Sequence, residues 1–483
     1  MNNLFHISNT RLFFYVGSLG VFYILLLFVN DIKSLLMLSA VLVFLIATVL
    51  KTNLFQTVYL ACLNVLWIEK GIRAINLLVV AQGSEDWMSA YSLYFGLSIK
   101  LVFIFCIAIM IPFGRKNVSL KKHGLPMIIL FLFGGISVLM APDYLLAFTG
   151  ITRLFSAIVL YFGSLQLLNN ESFKRVVVVT LVSLIAFQAI VGTYQFLSSS
   201  QIAIYLNDAY GLRQTGYFTS DGPSIFRVTG LVGHPTYFGS LMVLLLPVLL
   251  WKMIESYKNI MLERTRLHVI VFLAAVSVFI LSCIAIYGSF SRSAWIISIL
   301  SICVFIWTEL RHKSRKLKQT VAFILVALGV LIISIVPSAR ERIATIPNFI
   351  SNGSGKVRVQ LIEESLMMIS HHPLFGVGPN HFVRAMAQRD LVPELRGFMF
   401  PVHNTFLLFA SEMGMPMVTV FIIIISMSLI KLSSSQNPKK NFERIAIYTA
   451  IVSFVISSQF HALYNQDPTF ELLFIFLAWS QSL

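Results

Sequence analysis

The stretch FMFPVHNTFLLFASEMGMPMVTVFIIIISMSLI, residues 398–430, joins a long loop to an apolar segment. The mostly polar region that begins at Pro337 ends in this stretch at His403. From Asn404 onward the chain is apolar over more than the roughly 20 residues that a helix needs to cross a bilayer. We therefore predict a membrane-spanning helix with His403 at its entrance.

Apolar segments of similar length recur along all 483 residues, and the chain has a mean hydropathy of +0.84 with only 12% charged residues. So little charge cannot cover a soluble surface. The segment 54–80 is interrupted by Glu69, Lys70 and Arg73, and 445–460 is short, so we expect about 12–14 spans. The fourteen candidates lie near residues 12–29, 33–50, 54–80, 94–113, 124–141, 145–168, 176–197, 235–251, 269–290, 294–310, 319–336, 404–430, 445–460 and 469–482.

The predicted fold is an all-α, polytopic membrane helical bundle with a long, partly helical outer loop. Residues 1–336 are expected to form a transmembrane bundle of spans 1–11. Residues 337–403 form an extracytoplasmic loop subdomain, and residues 404–483 form the C-terminal spans 12–14. Lys and Arg concentrate in every second loop, which the positive-inside rule assigns to the cytoplasm. Both termini are therefore predicted to be cytoplasmic, and the loops 198–234 and 337–403 lie on the outer face.

Charge and cysteine usage narrow the possible functions. The net charge of +16 follows from cationic span ends, so we predict membrane lipid and no nucleic acid as a partner. Cys62, Cys106, Cys283 and Cys303 all lie in apolar segments and are interpreted as small core residues. The outer loops contain no histidine pair or carboxylate cluster with metal-ligand spacing, so no metal and no other cofactor is expected.

Four cations fall inside predicted spans, where each needs a partner or a wet cavity. Glu69 is the expected partner of Arg73, and Lys70 lies beside them. Lys100 is expected to extend its amine towards the membrane surface. Arg153 has no acidic neighbour at helical spacing, so bonding to backbone carbonyls and lining a polar cavity both remain open.

Four residues at the outer face are candidates for chemistry. Arg227 lies in the 198–234 loop, where its planar cation suits phosphate oxygens; an interfacial arginine is the alternative. Arg292 follows a serine-rich turn at a predicted helix start. This helix start either binds an anion or is simply capped, with Arg292 at the membrane interface. Arg358 opens a predicted amphipathic helix, Val357–Ile369. His403 can accept a proton at neutral pH, although a capping role is the alternative.

After that helix, Pro373 and the Gly376–Pro379 turn are expected to reverse the chain into a short helix from Asn380 to Arg389. The other histidines near the outer face are assigned structural roles. They are His371, His372, His381 and His461.

Together, four motifs resemble the bacterial O-antigen ligase and O-antigen polymerase family over about residues 226–416. They are Arg227-x-x-x-Leu231, Ser291-Arg292-Ser-Ala-Trp295, His372-Pro-Leu-Phe-Gly376-Val-Gly378-Pro-Asn-His-Phe382, and His403-Asn404 followed by Gly414. The order of the motifs is far more specific than any one of them.

The resemblance implies a multi-pass bacterial inner-membrane glycosyltransferase that is metal-independent and inverts the anomeric carbon. It would transfer a glycan from an undecaprenyl-pyrophosphate-linked donor to a hydroxyl of a glycan or lipid-linked acceptor, at the periplasmic or extracellular face. His403 then resembles the general base. Arg227 and Arg358 resemble the pair that grips the pyrophosphate, and Arg292 is a weaker match.

Two alternatives remain. The ligase pattern often ends in Gly-x-x-Gly, whereas Gly414 is followed here by Met415-Pro416-Met417, which slightly favours a polymerase over a ligase. A transporter of lipid-linked glycan is the alternative from another class. Such carriers tend to show two similar halves with broken helices, a pattern that we do not find in this sequence.

Overall fold

The structure is a computed structural model in which the described residues are 7–28, 32–65, 99–113, 124–200, 217–218, 225–232, 234–263, 265–310, 353–389, 395, 400–434, 440–463 and 467–483. Within them, the chain is helical apart from turns and one short antiparallel ladder. There Tyr217 of β1 (Tyr217–Phe218) pairs with Phe226 of β2 (Ile225–Phe226). The predicted all-α fold is confirmed.

Sixteen α-helices are present in the described ranges, and a 3₁₀ turn at Ile111–Phe113 extends the fourth. They are α1 Asn9–Leu26, α2 Ile32–Leu50, α3 Leu54–Val65, α4 Ile99–Met110, α5 Leu125–Met140, α6 Tyr144–Leu167, α7 Glu171–Ser198, α8 Pro235–Glu263, α9 Arg266–Gly288, α10 Arg292–Leu310, α11 Gly353–His371, α12 Phe382–Ala387, α13 Thr405–Met413, α14 Met415–Ser434, α15 Asn441–Ser457 and α16 Asp467–Gln481.

Six of the described helices are long and apolar enough to cross a membrane: α1, most of α6, α7, α8, α9 and α14. Shorter apolar helices lie within α2, α3, α4, α5 and α10. These helices confirm a polytopic membrane protein. The predicted span 319–336 and the Glu69–Arg73 pair fall outside the described residues, so the full number of spans remains a prediction.

Helix α8 occupies the centre of the bundle. It packs against α7, α9, α10 and α15, and its residues from Phe238 to Leu250 are almost completely buried. A helix that is apolar on all sides is stable only when other helices surround it. Helix α16 is enclosed in the same way and packs along α6, with Leu472–Trp479 fully buried. These two helices form the core around which the outer segments are arranged.

Charged residues from distant parts of the sequence meet at one end of the bundle. Lys174 Nζ lies 3.1 Å from Glu443 Oε1, and Lys440 Nζ lies 2.9 Å from Glu171 Oε1. Trp479 Nε1 donates a 2.8 Å hydrogen bond to Glu443. The starts of α7 and α15 and the end of α16 therefore lie at the same end, as the predicted alternation of loops requires.

The predicted continuous span 404–430 is divided into two helices at Gly414. There φ is +89°, and Gly414 N donates to Ala410 O as α13 ends. Glycine adopts such a backbone conformation without the strain that a Cβ atom would cause. The break gives the carbonyl-rich end of α13 a second function, which is to bind the returning outer segment.

That returning segment is the motif from His372 to Phe382. Val377 N and Gly378 N donate 2.9 Å bonds to Ser411 O and Glu412 O, and Met415 N donates to Pro373 O at 2.9 Å. The expected turn is present, with positive φ at Gly376 and Gly378. A Cβ atom on Gly376 would lie 2.3 Å from the Glu412 carbonyl carbon. The motif is therefore an architectural clasp and not a phosphate-binding loop.

Two buried charges differ from their predicted environments. Lys100 is only 5% exposed, and its Nζ lies 3.2 Å from Glu471 Oε1 of α16. The expectation that this amine reaches the membrane surface is wrong, because a carboxylate distant in sequence compensates it inside the bundle. Arg153 interacts electrostatically with buried Glu412 of α13. Its acidic neighbour comes from another helix, which spacing along α6 could not reveal.

Candidate active site

The turn between α9 and α10 holds Arg227 in place. Arg227 Nε donates to Ser289 O at 2.9 Å, and Nη2 donates to Phe290 O at 3.5 Å. The neighbouring Val228 N donates to Gly288 O at 2.9 Å. Phe290 has a φ of +49°, which is uncommon for a bulky residue and marks a constrained turn. The half-buried guanidinium of Arg227 is thus fixed beside the first turn of α10.

Arg292 is the first residue of α10, and Arg358 faces it from the outer loop. The loop helix α11 begins at Gly353, four residues before the predicted start, so Arg358 lies in its second turn. The helix packs against α13, and Leu361, Ser365 and Met368 form its buried face. Burial, together with the nearby charge of Arg292, lowers the pKa of Arg358 from its usual value. Arg292 and Arg358, which are 66 positions apart in the sequence, are therefore two cations that lie close together.

His403 is positioned by the start of α13. The side chain of Asn404 caps this helix and accepts from Phe406 N at 3.0 Å and Leu407 N at 3.1 Å. The preceding Val402 is fully buried. A capped helix start next to a buried anchor leaves little freedom to the residue between them. His403 is half-buried, with its ring 6.5 Å from that of Phe400.

The α15–α16 turn, residues 458–463, adds His461 to this group. His461 Nε2 lies 2.8 Å from Ser293 Oγ, one residue after Arg292, and the side chain is only 4% exposed. The sequence assigned His461 a structural role because it follows a span instead of opening one. Because successive spans alternate in direction, the end of the span before His461 lies at the same face as His403. This alternation was the one sequence signal that could have indicated His461 as a member of the site.

The electrostatics of the cluster are dominated by cations. Burial, together with the nearby charge of Arg358, lowers the pKa of His403 to about 4. Burial and the charges of Arg358, His403, His234 and Arg227 hold the pKa of His461 well below its usual value. Both imidazoles are therefore neutral at pH 7, in a site that favours an anionic ligand.

His234 completes the cluster from the start of α8. Its Nδ1 lies 2.8 Å from Thr236 Oγ1, and its ring lies 4.5 Å from that of Tyr237. Its effect on His461 places it on the same side of the bundle as the arginines. Among the described residues, no group of three His, Cys, Asp or Glu side chains is arranged to hold a metal ion. Guanidinium groups favour phosphate-like anions, so the chemistry of this cluster is compatible with such a ligand.

The remaining outer histidines lie elsewhere. His381 Nδ1 contacts Pro379 O at 2.9 Å within the clasp, and His371 Nδ1 contacts Met367 O at 2.7 Å at the exposed end of α11. His372 is exposed next to it. The structure thus brings all four predicted site residues, Arg227, Arg292, Arg358 and His403, into one neighbourhood and leaves these three histidines outside it.

Fold and site together define a class: a multi-pass helical membrane protein with a cationic, histidine-containing site at one end of its bundle. Residues 277–422 match the family model described as O-antigen ligase, so this segment of the chain is similar to the O-antigen ligase and polymerase family. The resemblance in the motifs is thereby confirmed. Comparison with curated proteins finds no match.

The match indicates a coarse function. It supports a glycan-transfer role in surface polysaccharide synthesis, in a multi-pass bacterial inner-membrane protein. Arg292, Arg358 and His403 lie inside the matched segment. Arg227 precedes it and His461 follows it, so the site extends beyond the match in both directions.

Proposed function

We propose that the protein is an inverting, metal-independent glycosyltransferase. Its donor is a glycan on undecaprenyl pyrophosphate, and its acceptor is a hydroxyl group presented at the outer face of the inner membrane. The single observation that carries this proposal is the convergence of Arg227, Arg292 and Arg358 on one cluster that also holds neutral His403. Three guanidinium groups suit a pyrophosphate whose negative charge grows as it leaves the sugar, and a neutral imidazole is ready to accept a proton.

The chemistry uses these groups in one displacement. His403 takes the proton of the acceptor hydroxyl while the oxygen of that hydroxyl attacks the anomeric carbon. The bond between that carbon and the pyrophosphate oxygen breaks, and its electron pair leaves with the lipid pyrophosphate. The arginines stabilise this growing negative charge in a partly buried site, where such stabilisation is stronger than in water. The anomeric carbon is inverted, and the proton on His403 passes to solvent.

The bound donor also adjusts the base. Arg358 lowers the pKa of His403, which keeps the imidazole neutral but makes it a weak base. A pyrophosphate held by Arg358 offsets this positive charge, so it raises the pKa of His403 in the complex. The general base therefore becomes stronger when the donor is in place.

The outer location rests on topology. Four helix ends meet at the site: the starts of α8, α10 and α13 and the end of α15. The ion pairs of Lys174 and Lys440 lie at the starts of α7 and α15, which is the other end of the bundle. Cationic loops mark the cytoplasmic side. The site accordingly belongs to the periplasmic or extracellular face.

We favour a polymerase over a ligase on one feature of the sequence. The position that carries the second glycine of the ligase pattern is Met417, which is fully buried in α14. In a polymerase the acceptor is another lipid-linked repeat, and in a ligase it is a terminal carrier such as lipid A core. The reaction at the anomeric carbon is the same in both.

The test is the surface glycan of a deletion strain complemented with wild-type protein, His403→Ala or Arg358→Gln at matched expression. A single lipid-linked repeat that never lengthens in the deletion strain identifies a polymerase. Long chains retained on the lipid carrier identify a ligase. Removal of the base is expected to lower the transfer rate about 10²–10⁴-fold.

Two matched controls lie on α11. His371→Ala removes an exposed outer histidine, and Lys356→Gln removes an exposed cation two residues from Arg358. Both should restore the wild-type glycan profile. If His403→Ala also restored it, the transferase assignment would fail and a transporter of lipid-linked glycan would become the better explanation.

A further inference from the structure

His461 makes two kinds of contact that connect separate parts of the site. Its side chain meets Ser293 Oγ at 2.8 Å, in the first turn of α10. Its backbone carbonyl accepts a 2.9 Å hydrogen bond from Thr405 Oγ1, in the first turn of α13. One residue thus contacts both the helix that presents Arg292 and the helix that follows His403.

The α15–α16 turn is firmly attached on its α13 side. Thr405 N donates to Ser458 O at 2.8 Å, and Leu463 N donates to Thr405 Oγ1 at 2.8 Å. Asn404 Nδ2 donates to Gln459 Oε1 at 3.1 Å. Asn404 and Thr405, which directly follow His403, are therefore both hydrogen-bonded to this turn.

On the other side, the contact continues towards Arg227. Ser293 Oγ lies 3.1 Å from Ser291 Oγ, and Ser291 N donates to Ser289 Oγ at 3.3 Å. The carbonyl of Ser289 accepts from Arg227 Nε. A series of hydrogen bonds therefore leads from the segment after His403, through His461 and the serine turn, to an arginine of the anion site.

We propose that His461 is a positioning residue, which sets the distance between His403 and the arginines by bonding Ser293 with its side chain and Thr405 with its carbonyl. This inference rests on the transferase function proposed above. His461 transfers no proton in the reaction. Misplacement by about 1 Å of groups that must meet a reacting centre costs about 10²-fold in rate, so a single linking residue has a large effect.

Substitution distinguishes positioning from proton transfer. His461→Gln keeps a hydrogen-bonding group near the position of Nε2, whereas His461→Leu removes it. Ser293→Ala cuts the same contact from the other side and leaves the imidazole intact. Ser298→Ala is the control on α10, because within the described part of the chain the Ser298 hydroxyl donates to Ala294 O of its own helix.

We expect the glutamine variant to transfer glycan within about threefold of wild type in the complemented deletion strain, with an unchanged pH profile. His461→Leu and Ser293→Ala should each lose about tenfold or more, and the double variant should be no worse than either one. A glutamine variant as inactive as the leucine variant, or losses that multiply in the double variant, would overturn the inference.

A readout without glycan separates this inference from the proposed function. The Tm of each variant is measured in detergent on the full chain. The loss of Tm in the His461→Leu/Ser293→Ala double variant should be smaller than the sum of the two single losses, because both substitutions remove the same contact. If His403→Ala remains active while this coupling is present, the transferase proposal fails and the contact stands. If His403→Ala is inactive and the coupling is absent, the positioning inference alone fails.

Discussion

A Cβ atom built on Gly414 would lie 2.1 Å from the carbonyl oxygen of Leu374. Gly414 ends α13, and Leu374 belongs to the clasp that returns from the outer loop. The positive φ of Gly414 adds strain for any other residue. We therefore predict that Gly414→Ala lowers the free energy of unfolding by about 2–4 kcal/mol, measured as a lower Tm in detergent.

Gly135 provides the control for this substitution. It lies within α5, and a Cβ atom there has no neighbour within 4 Å among the residues that the structure describes. Alanine is favoured over glycine inside a helix by roughly 0.5–1 kcal/mol, so Gly135→Ala should leave the Tm unchanged or raise it. Equal losses of Tm at both positions would show that the clasp does not require a glycine at 414.

The pH dependence of glycan transfer should differ between free and donor-bound protein. The acid limb of kcat/KM reports the free base and should fall near pH 4, the pKa of His403. The acid limb of kcat should lie at a higher pH, because bound pyrophosphate offsets Arg358. The measurement is the transfer rate in membrane vesicles against pH, at low and saturating donor.

Arg358→Gln tests the cause of this shift. Removing a cation that disfavours the imidazolium raises the pKa of His403, so the acid limb of kcat/KM should move upward while donor binding weakens. An acid limb that stays near pH 4 in this variant would mean that burial alone lowers the pKa.

Stability should decline in acid through the same two histidines. The pKa values of His403 and His461 are depressed in the folded protein, so the unfolded chain binds more protons below about pH 6.5. Stability is then lost as the pH falls from about 6.5 towards 4. For His403 the loss is at most about 3 kcal/mol, from about 1.4 kcal/mol per pKa unit.

The measurement is the Tm in detergent between pH 7 and pH 4. Replacing His461 with Gln, which does not titrate, should flatten the decline, whereas His371→Gln at the exposed end of α11 should not. A decline that is identical in wild type and His461→Gln would assign the acid sensitivity to other groups.

Lys100 and Glu471 allow a test of buried charge compensation. Lys100→Met leaves the Glu471 carboxylate buried without its partner, which typically costs about 3–5 kcal/mol. Adding Glu471→Gln should recover most of the lost Tm, because neither residue of the pair then carries a charge. Lys252→Met is the control, since its partner Glu255 lies in a partly exposed contact of one helix turn. A loss as large at Lys252 would contradict this explanation.

Local sequence patterns were sufficient for much of the architecture. Hydropathy predicted the helices, periodicity predicted α11, and Pro373 with the two glycines predicted its end and the turn. The motifs indicated Arg227, Arg292 and His403, and Arg358 was indicated by its place in the predicted loop helix together with the family resemblance. These features depend on residues close in sequence, which is why they could be identified without a structure.

The remaining features depend on contacts between distant residues. The partner of Lys100 lies on the last helix, and the acidic neighbour of Arg153 lies on α13. Gly414 appears in the sequence as one glycine within a long apolar segment, and its requirement becomes visible only beside Leu374. His461 was placed near the outer face but not in the site, because its role depends on Ser293, 168 positions away.

The α15–α16 turn also determines how much of the chain must be kept intact for function. The family match ends at residue 422, yet the contacts that fasten the segment after His403 come from residues 458–463. A fragment trimmed to residues 277–422 would retain His403, Arg292 and Arg358 but lose the turn that fastens the segment after His403. The proposed catalytic unit is therefore larger than the segment that matches the family, and the last helices contribute to the site as well as to the membrane-spanning bundle.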